Sequence, residues 1–149
     1  MLYLKNISDY HTLKGYAMLT HQPVTSAMED YLEMIVRLHK EDKALRISIL
    51  AERLNVKTSS ASKMVSNLKS EGLVDFEKYG IISLTKKGET LGEYLIFRHN
   101  LLNRFFCMIN HTEDELELVE KVEHFIDEKT IHNLETFLNF VENFDLSSS

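Results

Sequence analysis

The stretch Val56–Leu73, VKTSSASKMVSNLKSEGL, narrows the folds open to this chain more than any other. Just ahead of it, Ile49–Leu54 has the spacing of a short amphipathic helix, with Leu50 and Leu54 on one face. Asn55 interrupts that pattern, and the chain restarts at Lys57-Thr58-Ser59-Ser60, where small hydroxyl residues can cap a new helix. From there Ala61, Met64, Val65 and Leu68 recur at helical spacing, while Ser59, Ser60, Ser62, Lys63, Ser66, Asn67 and Lys69 occupy the other faces. The result is helix, tight turn, helix. Its second helix has an apolar back and a front of short hydrogen-bonding side chains and lysines. A DNA major groove, about 12 Å wide, admits such a helix, and short polar residues near its start let the backbone approach base edges. An ordinary solvated surface helix has the same composition, so the stretch alone does not decide the matter.

The next residues along the chain weight it toward nucleic acid. Gly72 is placed to end the second helix. Two short alternating runs within Leu73–Leu84 then hinge near Tyr79-Gly80, which predicts a hairpin with Lys78 at its tip. Helix-turn-helix succeeded at once by a basic-tipped hairpin is a winged helix-turn-helix. On that reading Lys57, Thr58, Ser59, Ser60, Ser62, Lys63, Asn67 and Lys78 are the candidate DNA contacts.

A formal net charge of −6 runs against DNA binding until it is divided along the chain. Between Lys43 and Thr90 there are nine basic residues against five acidic ones. From Ile109 to Ser149 there are two lysines against eleven acids. Such segregation suits a middle region facing phosphates and a C-terminal region facing something cationic, or only water. With no apolar run long enough to span a bilayer and no signal-peptide pattern, a cytoplasmic protein is expected. The single cysteine, Cys107, lies in an apolar stretch and reads as a packed thiol.

The remaining chain predicts helices. Residues 1–25 form an N-terminal extension, ending near the only proline, Pro23. Thr25-Ser26 caps a helix over 27–39 in which Asp30 and Glu33 share a face; the plainer reading pairs Glu33 with Arg37 one turn on. Thr85 caps a long helix from about 86 to 109 whose apolar stripe includes His99. An inward histidine is most often a satisfied core residue, and it is also how an internal metal site takes a ligand. Thr112–Glu115 reads as a capping box for a helix with Leu116, Val119, Val122 and Ile126 inside. Glu123 falls on that apolar side, a costly position for an unpaired carboxylate, and Asp127 comes one turn later. A last helix is expected over about 129–143. The overall expectation is a mostly α chain: a winged helix-turn-helix domain over 26–86, then a linker helix and helical domain over 87–149 whose apolar stripes exceed what so short a region buries alone, which predicts that it is a dimerisation domain.

Several short motifs occur in order: Met28–Glu33 (MEDYLE), Ser59–Val65 (SSASKMV), Glu77-Lys78-Tyr79, Leu84–Gly88 (LTKKG) and Arg98–Leu102 (RHNLL). Together they resemble the manganese transport regulator branch of the diphtheria-toxin-repressor family of metal-dependent transcriptional repressors. The resemblance covers about residues 26–144. It implies a homodimer on a palindromic operator, with Mn²⁺ or Fe²⁺ as corepressor. Carried over by position, the family's first-helix carboxylates fall on Asp30 and Glu33, its linker-helix histidine on His99 and its bridging glutamate on Glu123. The next two ligands, a glutamate and a histidine, fall on Ile126 and Asp127, a departure. Ile126 cannot ligate, and Asp127 offers oxygen in place of nitrogen. His124 and Glu128 are each about 100° further round a continuous helix. This leaves three outcomes open: one ion per protomer, weak binding, or a scaffold that has lost metal control. A metal-independent winged-helix regulator, a small metalloenzyme and a protein-interaction module are the rivals, and no nucleophile or separate general base supports an enzyme.

Overall fold

The computed structural model describes residues 23–42, 44–77 and 80–147. The amphipathic pattern expected within 1–22 and the wing-tip Lys78 lie outside the described residues. Helix α1, Ser26–Glu41, starts at Thr25, whose hydroxyl accepts from Met28 N at 3.2 Å. Its apolar side, Leu32, Ile35 and Val36, is fully buried. Helix α2, Ile47–Arg53, and helix α3, Thr58–Ser70, form the helix-turn-helix. Asn55 makes the turn with a left-handed φ of 53°, a conformation asparagine tolerates better than most residues. No hydroxyl caps α3; Lys57 is its N-cap and supplies no side-chain bond.

Helix α3 ends as its glycine foretells. Gly72 takes φ 70°, Gly72 N bonds Lys69 O at 2.9 Å, and Leu73 N bonds Leu68 O at 3.0 Å. These are the paired bonds of a Schellman cap, which turn Leu73 back into the core. The wing comes next as an antiparallel pair, β1 Val74–Phe76 and β2 Ile82–Leu84, with Val74 opposite Leu84 and Phe76 opposite Ile82. Arg46 bridges Ile81 at the outer edge.

Thr85 caps the long helix α4, Lys86–Asn110, its hydroxyl accepting from Gly88 N at 3.0 Å. Helix α1 crosses α4 closely at Gly92, where an added Cβ would lie 2.2 Å from Val36 Cγ2. The close crossing brings the carboxylates of α1 within reach of the side chains one to two turns further along α4. One apolar cluster, with Leu32, Ile35, Leu50, Val65, Leu68 and Ile82 at its centre, underlies the winged helix. A second, built on Leu101, Leu102, Val119, Ile131 and Leu138, holds the C-terminal helices against α4, and Tyr94 packs on both.

Beyond α4 the structure departs from the expected pattern. Thr112 Oγ1 bonds the Glu115 side chain at 2.7 Å rather than a backbone N–H, and helix α5 begins later, at Leu116. It ends at Val122. Glu123–Phe125 form a single 3₁₀ turn, and Ile126 is extended at φ −100°, ψ 122°. The chain then enters α6, Glu128–Ser147. The apolar spacing of Leu116, Val119, Val122 and Ile126 therefore does not mark one helix. Ile126 reaches the second cluster from an extended segment, which burial at helical spacing imitates.

Candidate functional site

Four elements meet at the crossing of α1 and α4. Asp30 and Glu33 come from α1, His99 from α4, Glu120 from the last turn of α5, and Glu123 and His124 from the 3₁₀ turn. His99 Nδ1 lies 3.2 Å from Glu123 Oε2, 3.8 Å from Glu120 Oε1 and 4.0 Å from Glu33 Oε1. His124 Nε2 lies 2.9 Å from Asp30 Oδ1. Two sets of three ligand atoms each fit within 4.8 Å: Asp30, Glu123 and His124, and Glu33, His99 and Glu123. Glu123 belongs to both.

Glu123 is also the strained member. It is 1 % exposed, and its Oε1 has no hydrogen-bond partner. A buried carboxylate oxygen without a donor is unfavourable, and a cation beside it would satisfy it. The electrostatics agree. The hydrogen bond to Glu123 pushes the His99 pKa up against the opposing effect of burial, with further help from the charges of Glu123, Glu33 and Glu120. Burial raises the pKa of Glu120, and the Glu123 carboxylate raises it further. His124, hydrogen-bonded to Asp30 and Glu29, is pushed up to about 10. Four carboxylates and two imidazoles around one cleft crowd negative charge together, which favours the protonated forms of His99, Glu120 and His124. That donor set of oxygen and imidazole nitrogen fits Mn²⁺ or Fe²⁺ and lacks the thiolates that select softer ions.

Of the residues expected from sequence, Asp30, Glu33, His99 and Glu123 are brought together. Asp127 is not. It is exposed, and its Oδ1 accepts from Thr130 N at 2.7 Å, capping α6. The reason is the break after Val122: Glu123 and Asp127 no longer share a helix face. The glutamate, glutamate, histidine order that the resemblance laid on Glu123, Ile126 and Asp127 recurs at the same spacing three residues earlier, at Glu120, Glu123 and His124. Those three side chains do reach the cluster, and on that register no ligand position falls on Ile126. Glu120-x-x-Glu123-His124 is the sequence signal for this grouping, one that a continuous helix through residue 126 would obscure.

Two further residues support the cluster. Glu29 Oε2 accepts from His124 Nδ1 at 2.7 Å and from Arg98 Nη2 at 2.6 Å. Burial alone would raise the Glu29 pKa; the bonds from His124 and Arg98 outweigh it and hold the carboxyl below its usual range. Glu33 is engaged by Arg37, as the plainer sequence reading anticipated, through Nη2 at 2.7 Å and Nε at 3.1 Å.

On the winged helix, Lys57, Thr58, Ser59, Ser60, Lys63 and Asn67 of α3 and its cap are exposed, and Ser62 is half-buried. Ala61, Val65 and Leu68 face inward, so the polar front is open to a partner. Lys69 is turned to the wing instead, 2.7 Å from Asp75 and over the Phe76 ring.

Comparison with known proteins matches residues 23–82 to the iron dependent repressor N-terminal DNA binding domain, and residues 85–144 to the iron dependent repressor metal binding and dimerisation domain. The chain belongs to the iron-dependent repressor family. Within it, this repressor is 37% identical over 122 residues to the HTH-type transcriptional regulator MntR of Oceanobacillus iheyensis, covering 81% of this chain and 83% of that protein. The MntR of Bacillus subtilis is 36% identical over the same length, covering 81% and 86%. Among solved structures, the manganese regulator SloR superposes with a TM-score of 0.65 at 33% identity over 76% of this chain. The chain spans about half of that longer protein, 54%.

The protein is thus a mostly α, metal-responsive transcriptional repressor of winged-helix type, a dimer on a DNA operator and not an enzyme. The metalloenzyme and interaction-module rivals fall away. Among the described residues no helix is long and apolar enough to cross a membrane.

Proposed function

We propose that the protein is a cytoplasmic, Mn²⁺-responsive repressor, with Fe²⁺ as the other candidate corepressor, and that Asp30, Glu33, His99, Glu120, Glu123 and His124 hold the ion. The observation that carries this reading is the unpartnered, buried Oε1 of Glu123 between two ligand triads. Glu123 shared by both triads is compatible with one ion or with two. A bound divalent cation would supply the positive charge that these carboxylates lack.

The chain's own residues supply the coupling. Asp30 and Glu33 belong to α1, which packs against α3 through the core beneath the winged helix. His99, Glu120, Glu123 and His124 belong to the half that also carries the dimerisation surface, where Phe125, Phe137 and Phe140 are exposed on and near α6. Drawing the two sets together fixes the winged helix relative to the dimer axis. The two α3 helices are then held at half-site spacing, roughly 34–36 Å or a multiple of it. Lys57, Thr58, Ser59, Ser60, Ser62, Lys63 and Asn67, with Lys78 of the wing, are proposed to meet the operator. A metal-favoured geometry shifts the population toward the binding-competent state only by its differential affinity.

A specific observation favours a second reading, metal-independent binding on the same scaffold. Protonated His124 already ties Asp30 to the 3₁₀ turn, and Arg98 ties Glu29 to α4, so the head is held without an ion. The deciding experiment is binding to the protein's own upstream DNA with Mn²⁺, anaerobic Fe²⁺, Zn²⁺ or chelator, alongside calorimetric titration. Operator binding that needs Mn²⁺ or Fe²⁺, abolished in Glu123→Gln, supports the proposal. Full binding in chelator with no heat of Mn²⁺ binding up to millimolar concentration would sink it.

A further inference from the structure

We propose that Glu29 is the positioning residue for His124, and that buried Arg98 holds Glu29 to that task. The inference rests on the proposed metal centre, because it concerns how one of its ligands is aimed. His124 sits on a three-residue 3₁₀ turn, the shortest of the elements that furnish the cluster. Nothing in that turn fixes which ring nitrogen faces the cleft. Two adjacent residues of α1 do: Glu29 takes Nδ1 at 2.7 Å, and Asp30 faces Nε2 at 2.9 Å.

The consequence is chemical. Ionised Glu29 has no proton to donate, so at 2.7 Å Nδ1 must carry the hydrogen, and Arg98 Nη2, 3.4 Å from the same nitrogen, is left to bond Glu29. Once His124 gives up its other proton, the lone pair is left on Nε2, beside Asp30, where Glu123 completes the triad. A carboxylate on the far nitrogen fixes tautomer and ring angle and makes the ligating nitrogen more basic. Glu29 itself cannot swing in as a ligand at low cost, because the same Oε2 also takes Arg98 Nη2 at 2.6 Å. Arg98 is 4 % exposed, its guanidinium 5.9 Å from the Tyr94 ring centroid. Removing the Glu29 side chain would take that acceptor from it. The chain thus runs from α4 through Arg98 and Glu29 of α1 to His124 of the 3₁₀ turn.

A double-mutant cycle on Mn²⁺ affinity, measured by calorimetry on the full-length protein, tests this. Glu29→Ala should weaken Mn²⁺ binding about 10- to 100-fold, the usual range for such supporting groups. His124→Ala should weaken it at least as much, and the double variant should bind no more weakly than His124→Ala alone, since Glu29 acts through that ring. Glu29→Gln, which keeps an acceptor for Nδ1–H and the packing around Arg98, should fall between wild type and Glu29→Ala, and it runs the same cycle if Glu29→Ala does not fold. In the Zn²⁺-loaded protein the His124 Nδ1–H resonance should be slow to exchange in wild type and lost in Glu29→Ala. Wild-type affinity in Glu29→Ala, or losses that simply add in the double variant, would overturn the inference and leave the metal centre standing. Absence of Mn²⁺ binding in wild type would overturn both.

Discussion

Arg37 sets two nitrogens, Nη2 at 2.7 Å and Nε at 3.1 Å, on a single oxygen of Glu33, the Oε1 that also lies 4.0 Å from His99 Nδ1. The guanidinium therefore occupies the oxygen that an ion at the His99 triad would want. On the proposed metal centre, Arg37 would compete with the ion for Glu33. Its side chain is 41 % exposed, so the pair is well screened and of the modest strength of surface one-turn ion pairs. Arg37→Met should raise Mn²⁺ affinity about two- to fivefold, read by calorimetry. Unchanged or weaker binding would show that Glu33 ligates through its other oxygen or not at all.

The two possible alignments of the C-terminal ligands separate cleanly by mutation. Asp127→Asn should leave Mn²⁺ affinity unchanged and lower thermal stability slightly, because the carboxylate caps α6 through Thr130 N. His124→Ala should lose most metal affinity. Equal losses in the two variants would return the histidine ligand's place to Asp127. Ile126→Glu, which a helix running through 126 would make a gain of ligand, should instead cost stability, since Ile126 packs on the second cluster.

Acidity gives a prediction with a definite sign. Hydrogen bonds to Asp30 and Glu29 push His124 from an ordinary 6.5 up to about 10 in the metal-free protein. A pKa raised on folding contributes stability that is fully present below about 6.5 and is lost as the pH climbs through about 10. Ligation needs the ring to lose that proton, so Mn²⁺ binding at pH 7 should release it and affinity should rise with pH, about tenfold per unit for each proton released. Calorimetry in two buffers of different ionisation enthalpy measures the release. No proton release and a flat profile would mean His124 is not displaced from its Asp30 contact.

At the nucleic-acid face, Lys63→Ala and Lys57→Ala should each weaken operator binding and reduce the salt slope by about one. Both lysines stand on the exposed front of α3. Unchanged affinity and slope in both would place another element in the groove.

The sequence by itself determined several features fixed by local bonding. Thr25 and Thr85 announced two helix starts, Gly72 announced the end of α3, and the split of polar and apolar residues over Val56–Leu73 identified the helix-turn-helix. It also marked His99 and Glu123, because a histidine and a carboxylate on apolar stripes are costly unless something meets them, while Asp30 and Glu33 came from the family resemblance. What it could not decide was where α5 stops. Burial against the second cluster recurs at Ile126 whether the chain is helical or extended, so spacing continued a helix that the 3₁₀ turn at Glu123 ends. Only the tertiary structure, by packing that turn against α1 and α4, brought Glu120 and His124 to the cluster and left Asp127 outside it. Convergence of side chains from four elements depends on the angles between them, which no local pattern along the chain encodes.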